Sequence, residues 1–264
     1  MKITHYLYNA FLIESSDKKI AIDPGAVFLY FFRLSTLIPK QEWADITHIF
    51  VTHGDPDHYW HADRVAKTSD AFFICSRTLI ETVDGTDYLL EPRRGGLKFR
   101  TQLENVIPLD IGAEIEVGGV KVRGIKTTHG SLLLKLGLFS KEVVPGPEER
   151  IGRGAIGFVI DVDGKTIVNL GDTLLNTTEW ESVKEPDVLM IPIGGRKAHN
   201  TMDEPEALKA VEAMRPKIVI PCHYNCPAFF TRKYNPADVS MFRSEVERLG
   251  FRCEVLGKGD SLNI

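Results

Sequence analysis

Cysteine is scarce in this chain: four in 264 residues, Cys75, Cys222, Cys226 and Cys253, with none in the CxxC spacing of a zinc finger or a redox-active dithiol. They read as reduced thiols, which excludes a disulfide framework and is expected of a cytoplasmic protein. Long hydrophobic runs are also missing. The most apolar stretch, Ala26 to Ile38, is interrupted by Arg33 and stopped by Pro39, too short and too polar to span a bilayer. The start, Met1-Lys2-Ile3-Thr4-His5-Tyr6, lacks the charged region and apolar stretch of a signal peptide, so no membrane span and no secretion are expected. Nor is there an excess of positive charge. Thirty-two Lys and Arg against 36 Asp and Glu leave a net charge of −4, which argues against a nucleic-acid partner and for a small-molecule one.

What is present is the composition of a globular protein, 43% hydrophobic and 26% charged. A chain of this length buries roughly three quarters of the surface its unfolded form exposes. Its core needs no metal staple, so a metal site in it would serve function. With no repeat, low-complexity tract or linker, residues 1–264 are expected to form a single domain.

Short apolar runs read as strands: Ile20 to Ile22, Ile46 to Val51, Ala71 to Cys75, Val120 to Ile125, Ala155 to Asp161, Thr166 to Leu170, Val188 to Ile191 and Ile218 to Pro221. Helical patterns cover Asp57 to Lys67, Glu204 to Met214 and Pro236 to Leu249. Asp203 with Glu204 and Glu206 marks a helix start, and Pro216 its stop. Mixed elements in this order predict an α/β sandwich. Ala26 to Pro39 and Ser131 to Arg150 break the rhythm and read as insertions. They are expected to make homo-oligomer contacts or, second, to form a lid over an apolar substrate.

Four of the strands run into metal-binding side chains. Ile49-Phe50-Val51 leads into Thr52-His53-Gly54-Asp55-Pro56-Asp57-His58; later strands lead into His129, Asp172 and His223. Strand C-termini are where α/β folds place ligands. Imidazole and carboxylate suit zinc, manganese or iron, and seven such groups suffice for one or two divalent ions with solvent positions left open. Such ions make hydroxide from bound water near neutral pH, which would be the nucleophile of a hydrolase.

On these residues the sequence resembles the metallo-β-lactamase superfamily over essentially its whole length. The motif H-x-H-x-D-H is matched by His53-x-Asp55-x-Asp57-His58, followed by His129, by Asp172 within Leu170-Gly171-Asp172-Thr173, and by His223. Ile22-Asp23-Pro24-Gly25 and Ile193-Gly194-Gly195 are further points of likeness. It looks most similar to the group containing L-ascorbate-6-phosphate lactonase and the phospholipase D acting on N-acyl-phosphatidylethanolamine. The resemblance implies an αββα four-layer sandwich of two similar halves with the metals at one edge. It implies that His53 and His129 hold a first ion, that Asp57, His58 and His223 hold a second, and that Asp172 bridges them. The implied activity is hydrolysis of a lactone, ester or phosphodiester, with Asp57 also moving a proton. Asp55 departs from the pattern, standing where the family has histidine. A carboxylate is a harder ligand and tilts preference toward iron or manganese. The family's flavodiiron oxygen reductases are similar here, which keeps a redox role as the alternative, beside a non-catalytic metal-binding or effector-sensing one; their flavodoxin-like module is not seen in this sequence.

Asp55 has a second reading, because Asp before Pro at the first helical position is a common helix start. Asp23 reads as a turn-former beneath the site. His199 and Asn200, in a Gly-rich loop with Arg196 and Lys197, are candidates for substrate contact or solvation. His5, His48 and His61 fit no constellation and read as structural. Cys222 should point away from its neighbour His223 and pack.

Overall fold

The computed structural model describes residues 1–29, 33–84, 105–136, 139–145, 151–227 and 233–264. Two seven-stranded sheets stand face to face, with helices on their outer faces, giving the αββα sandwich. The first sheet runs, in spatial order, Ser261–Asn263, Lys2–His5, Phe11–Glu14, Lys19–Ile22, His48–Val51, Phe72–Ser76 and Val106–Leu109. The second runs Arg252–Cys253, Ile218–Cys222, Val188–Pro192, Lys165–Asn169, Ile156–Val162, Val120–Lys126 and Glu114–Val117. Each sheet is antiparallel in one half and parallel in the other, so the halves of the molecule repeat one plan.

Alternation of side chains along a strand explains the layers. Phe11 and Ile13 enter the core between the sheets while Leu12 enters the outer one; Phe50 faces inward while Ile49 and Val51 face the helices. Strands buried on both faces read as continuous apolar runs, which is why His48–Val51 is visible in the sequence, whereas Phe11–Glu14, equally buried from Phe11 to Ile13, is not read as a strand there. Phe50 and Phe158 meet edge to face across the central layer with centroids 5.1 Å apart. Each such buried side chain contributes about 1.5–3 kcal/mol. The second outer layer packs Val168, Leu189 and Val219 against Ala207, Val211, Phe242 and Val246 of the helices Glu204–Met214 and Val239–Arg248.

The helix Glu204–Met214 has the expected start: Asp203 accepts from the Glu206 N–H at 3.0 Å, and Glu206 accepts from the Asp203 N–H at 3.2 Å. The pattern from Asp57 to Lys67 instead splits into Pro56–Tyr59 and Ala62–Ser69, with His61 at the second N-cap rather than inside a helix. Both insertions form hairpins. Ala26–Leu29 pairs with Arg33–Thr36 and lies beside the helix Pro56–Tyr59; Leu132–Leu136 pairs with Phe139–Val143 and lies beside Gly195–Ala198. Residues 30–32, 137–138 and 146–150 of these insertions, to which contact or lid roles were assigned, lie outside the described residues. Among the described residues no helix is long and apolar enough to cross a membrane.

Candidate metal centre

The strand His48–Val51 ends two residues before His53, Val120–Lys126 three before His129, Lys165–Asn169 three before Asp172, and Ile218–Cys222 one before His223. The first sheet thus delivers His53, Asp55, Asp57 and His58, and the second delivers His129, Asp172 and His223, to one edge of the sandwich. All seven converge. Asp55 Oδ2 lies 3.5 Å from His53 Nε2 and 3.4 Å from His129 Nε2. Asp57 Oδ2 lies 3.5 Å from His58 Nε2 and 3.2 Å from His223 Nε2. Asp172 stands between these groups, its Oδ2 3.2 Å from His223 Nε2 and 3.8 Å from His129 Nε2, its Oδ1 3.8 Å from His58 Nε2. In the trios His53, Asp55, His129 and Asp57, His58, His223, donor atoms lie within 4.8 Å of one another.

Asp55 does occupy the N-cap of Pro56–Tyr59, but its side chain makes no cap hydrogen bond. Instead Oδ1 accepts from the Gly152 N–H at 3.0 Å, leaving Oδ2 for the histidines. Gly152 has φ +65°, and a Cβ there would run into the His129 side chain. Gly25 is equally constrained, since a Cβ would overlap the Asp57 carbonyl.

The far ring nitrogens are held by the protein. Asp23, fully buried beneath the centre, accepts from His58 Nδ1, the Thr52 N–H and Thr52 Oγ1, each at 2.7 Å. With its proton given to Asp23, Thr52 Oγ1 accepts from His53 Nδ1 at 3.0 Å. His129 Nδ1 donates to the Gly130 carbonyl at 2.7 Å. Asn235 Nδ2 lies 2.6 Å from His223 Nδ1 while its Oδ1 has no hydrogen-bond partner; with the amide turned, Oδ1 accepts the Nδ1 proton. With Nδ1 as the proton-bearing nitrogen in each ring, loss of any Nε2 proton to a cation would leave an inward-facing lone pair, the tautomer a metal ligand needs. Asp23 and His223 both adopt left-handed backbone, φ 44° and 50°, tolerated at sites fixed by surrounding structure.

The buried atoms His53 Nε2, His129 Nε2 and Asp172 Oδ1 have no hydrogen-bond partner. Orphans of this kind cost free energy unless something else binds them, so the residues fit a divalent cation. Electrostatics agree. Burial opposes charge on His58, yet Asp57, Asp23 and Asp172 hold its pKa well above the usual histidine range. Burial would raise the Asp57 carboxyl, but His58 and His223 hold it well below the usual carboxylate range. Burial likewise opposes charge on Asp55, and His53 and His129 outweigh it to lower its pKa. Burial depresses His129.

Asn200 is buried and donates to Asp172 Oδ2 at 2.9 Å, whereas His199 is exposed. His48 bonds the Thr47 hydroxyl and Val117 carbonyl, and His5 lies between the Leu256 and Tyr8 carbonyls; neither belongs to a ligand trio among the described residues. Cys222 faces the interior, its Sγ donating to Asn9 Oδ1 at 3.4 Å. Asn9, Asn169, Asn235 and Gly152 carry no sequence signal that sets them apart, except that Asn169 is a polar residue within an apolar strand.

The β-lactamase superfamily domain family matches residues 2–223. A UPF0173 metal-dependent hydrolase of Carboxydothermus hydrogenoformans is 32% identical over 98% of both chains. Another, from Pelotomaculum thermopropionicum, is 32% identical over 100% of both. The solved structure of Igni18, a metallo hydrolase of Ignicoccus hospitalis, superimposes with a TM-score of 0.70 at 24% identity, covering 99% of this chain and 97% of that one. Sequence, fold and a His/Asp cluster at the sheet edge lead to one assignment: the chain belongs to the metallo-β-lactamase superfamily and, within it, to the UPF0173 metal-dependent hydrolases.

Proposed function

We propose that the protein hydrolyses an ester-type bond, a lactone, carboxylic ester or phosphodiester, in a small molecule. His53, Asp55 and His129 would hold one ion, Asp57, His58 and His223 a second, with Asp172 bridging. The observation that carries this reading is the convergence of His53 Nε2, His129 Nε2 and Asp172 Oδ1, all buried and without hydrogen-bond partners. Zinc, manganese or iron bound there supplies a nucleophile from water at neutral pH and polarises the bond under attack. Asp57, half-buried, presents its Oδ2 to the site and is the group assigned to move the proton. The unpartnered Asn200 Oδ1 and the exposed His199 imidazole beside it contact the substrate. The pairing of Ser261–Asn263 with Lys2–His5 supports reading 1–264 as one unit. Four buried free thiols support a cytoplasmic setting.

The Asp55 carboxylate favours iron or manganese over zinc and supports a second reading, a diiron oxygen-handling protein. Elemental analysis of the purified chain, then assays on lactone, ester and bis-p-nitrophenyl phosphate with each metal, separates the two. Metal-dependent turnover of one substrate class is expected. Iron with a visible absorption band, oxygen consumption with a reduced flavin donor and no hydrolysis would replace the hydrolase reading.

A further inference from the structure

Behind the candidate metal centre, where the two sheets meet, lies a pair of buried amides whose hydrogen bonds go to none of the proposed ligands. Asn9 and Asn169 are both fully buried. Asn9 Nδ2 donates to Asn169 Oδ1 at 2.9 Å, and Asn169 Nδ2 donates to Asn9 Oδ1 at 2.9 Å. The remaining positions are also used. Asn9 Nδ2 donates to Asp23 Oδ2 at 2.6 Å, and Asn9 Oδ1 accepts from Cys222 Sγ at 3.4 Å. Asn169 Oδ1 accepts from the Gly171 N–H at 3.0 Å, and Asn169 Nδ2 lies 3.5 Å from Met190 Sδ. Each amide has two donor and two acceptor positions, and all are filled. Orientation is fixed by chemistry: the Asp23 carboxylate only accepts and the Gly171 N–H only donates.

The pair joins three ligand carriers. Through Asp23 it reaches His58; through Gly171 it reaches the turn that presents Asp172; through Cys222, the residue before it, it reaches His223. The turn holding Asn9 adds a backbone link, since the Tyr8 carbonyl accepts from the His223 N–H at 2.9 Å. His58 comes from the first sheet, and Asp172 and His223 from the second. Sheets packed through apolar side chains can slide by fractions of an ångström, whereas hydrogen bonds fix distance and direction. His53 and His129 have no hydrogen bond to this network other than that of His53 through Thr52.

We propose that Asn9 and Asn169 are positioning residues that set two of the second ion's ligands, His58 and His223, and the bridging Asp172 relative to one another across the two sheets. The proposal rests on the ligand assignment above. Its test is a competition titration of metal-free full-length chain with manganese or zinc against a chromogenic chelator, which reads binding without turnover. Loss of an outer hydrogen-bond partner typically costs 10–100-fold in metal affinity. Asn9→Ala and Asn9→Asp act one bond further out, through Asp23, and should weaken one equivalent by about tenfold, the lower end of that range, leaving the other within about threefold of wild type. In a His129→Ala background the remaining equivalent should show the same Asn9 effect; in a His223→Ala background it should change by no more than about threefold, the share that reaches the first ion through the bridging Asp172. Wild-type affinity at both equivalents, or equal loss at both, would overturn the proposal, the second because general loosening of the fold predicts it. If the wild type binds one equivalent, insensitivity of that equivalent to Asn9→Ala overturns it as well. Should Asn9→Ala fail to fold by circular dichroism, Asn169→Ser decides, because it breaks the reciprocal pair while Asp23 keeps its other donors. A wild type that binds no ion would defeat the metal reading itself and this proposal with it.

Discussion

Asp55 Oδ2 stands 3.4 Å from His129 Nε2, although the two residues come from different sheets and Asp55 opens a helix. The carboxylate is drawn away from the cap position by the Gly152 N–H and faces the histidines. Asp55→Ala should therefore lower affinity for one ion by about a hundredfold or more, since a ligand costs at least as much as its outer partner. The metal-free protein should lose only about 1 kcal/mol, the scale of the one hydrogen bond from the Gly152 N–H, because no cap hydrogen bond is lost. Unchanged stoichiometry and affinity in a metal titration would show that Asp55 is no ligand.

Asp23 neutralises four donors: His58 Nδ1, the Thr52 N–H, Thr52 Oγ1 and Asn9 Nδ2. Asp23→Ala leaves them facing a buried void, a loss of about 3–5 kcal/mol on breaking a buried charged network. Urea unfolding of the metal-free variant measures it. A loss below about 1 kcal/mol, the scale of a single ordinary hydrogen bond, would mean that water replaces the carboxylate.

The raised pKa of His58 makes metal binding and proton binding compete. In the metal-free protein the stability contributed by the His58 proton is present in full below about pH 6.5, the unfolded value, and is lost as pH rises through the raised folded value. A cation needs His58 deprotonated, so its stabilisation grows over the same window. The gap in melting temperature between loaded and metal-free protein should widen as pH rises above about 6.5. Calorimetry on both forms checks this; a gap independent of pH contradicts it.

Gly152→Ala forces a Cβ into left-handed backbone and against His129. Such strain costs of order 1–3 kcal/mol. The displaced turn should also loosen Asp55, so first-ion affinity and stability fall together. Stability lost with metal affinity unchanged would show that the turn does not position Asp55.

The sequence carried most of the strands buried on both faces, because unbroken apolar runs such as Ile49 to Val51 have few other places to go; Phe11–Glu14 is one it did not show. It missed Lys2–His5 and Ser261–Asn263, short strands whose pairing joins residues some 260 apart and leaves no local pattern. It ran Pro56–Tyr59 and Ala62–Ser69 together, since apolar spacing continues through the break at Trp60 and His61.

By itself the sequence determined which chemical groups stand at the ends of which strands, because residue type and strand propensity are both local. That alone was enough for His53, Asp57, His58, His129, Asp172 and His223 as a candidate cluster. Only the tertiary structure decided where the Asp55 side chain points, which buried amides brace the cluster, and that Asp23 holds His58. Those outcomes depend on atoms brought together from distant strands, and a hydrogen bond forms only where distance and direction are met in three dimensions.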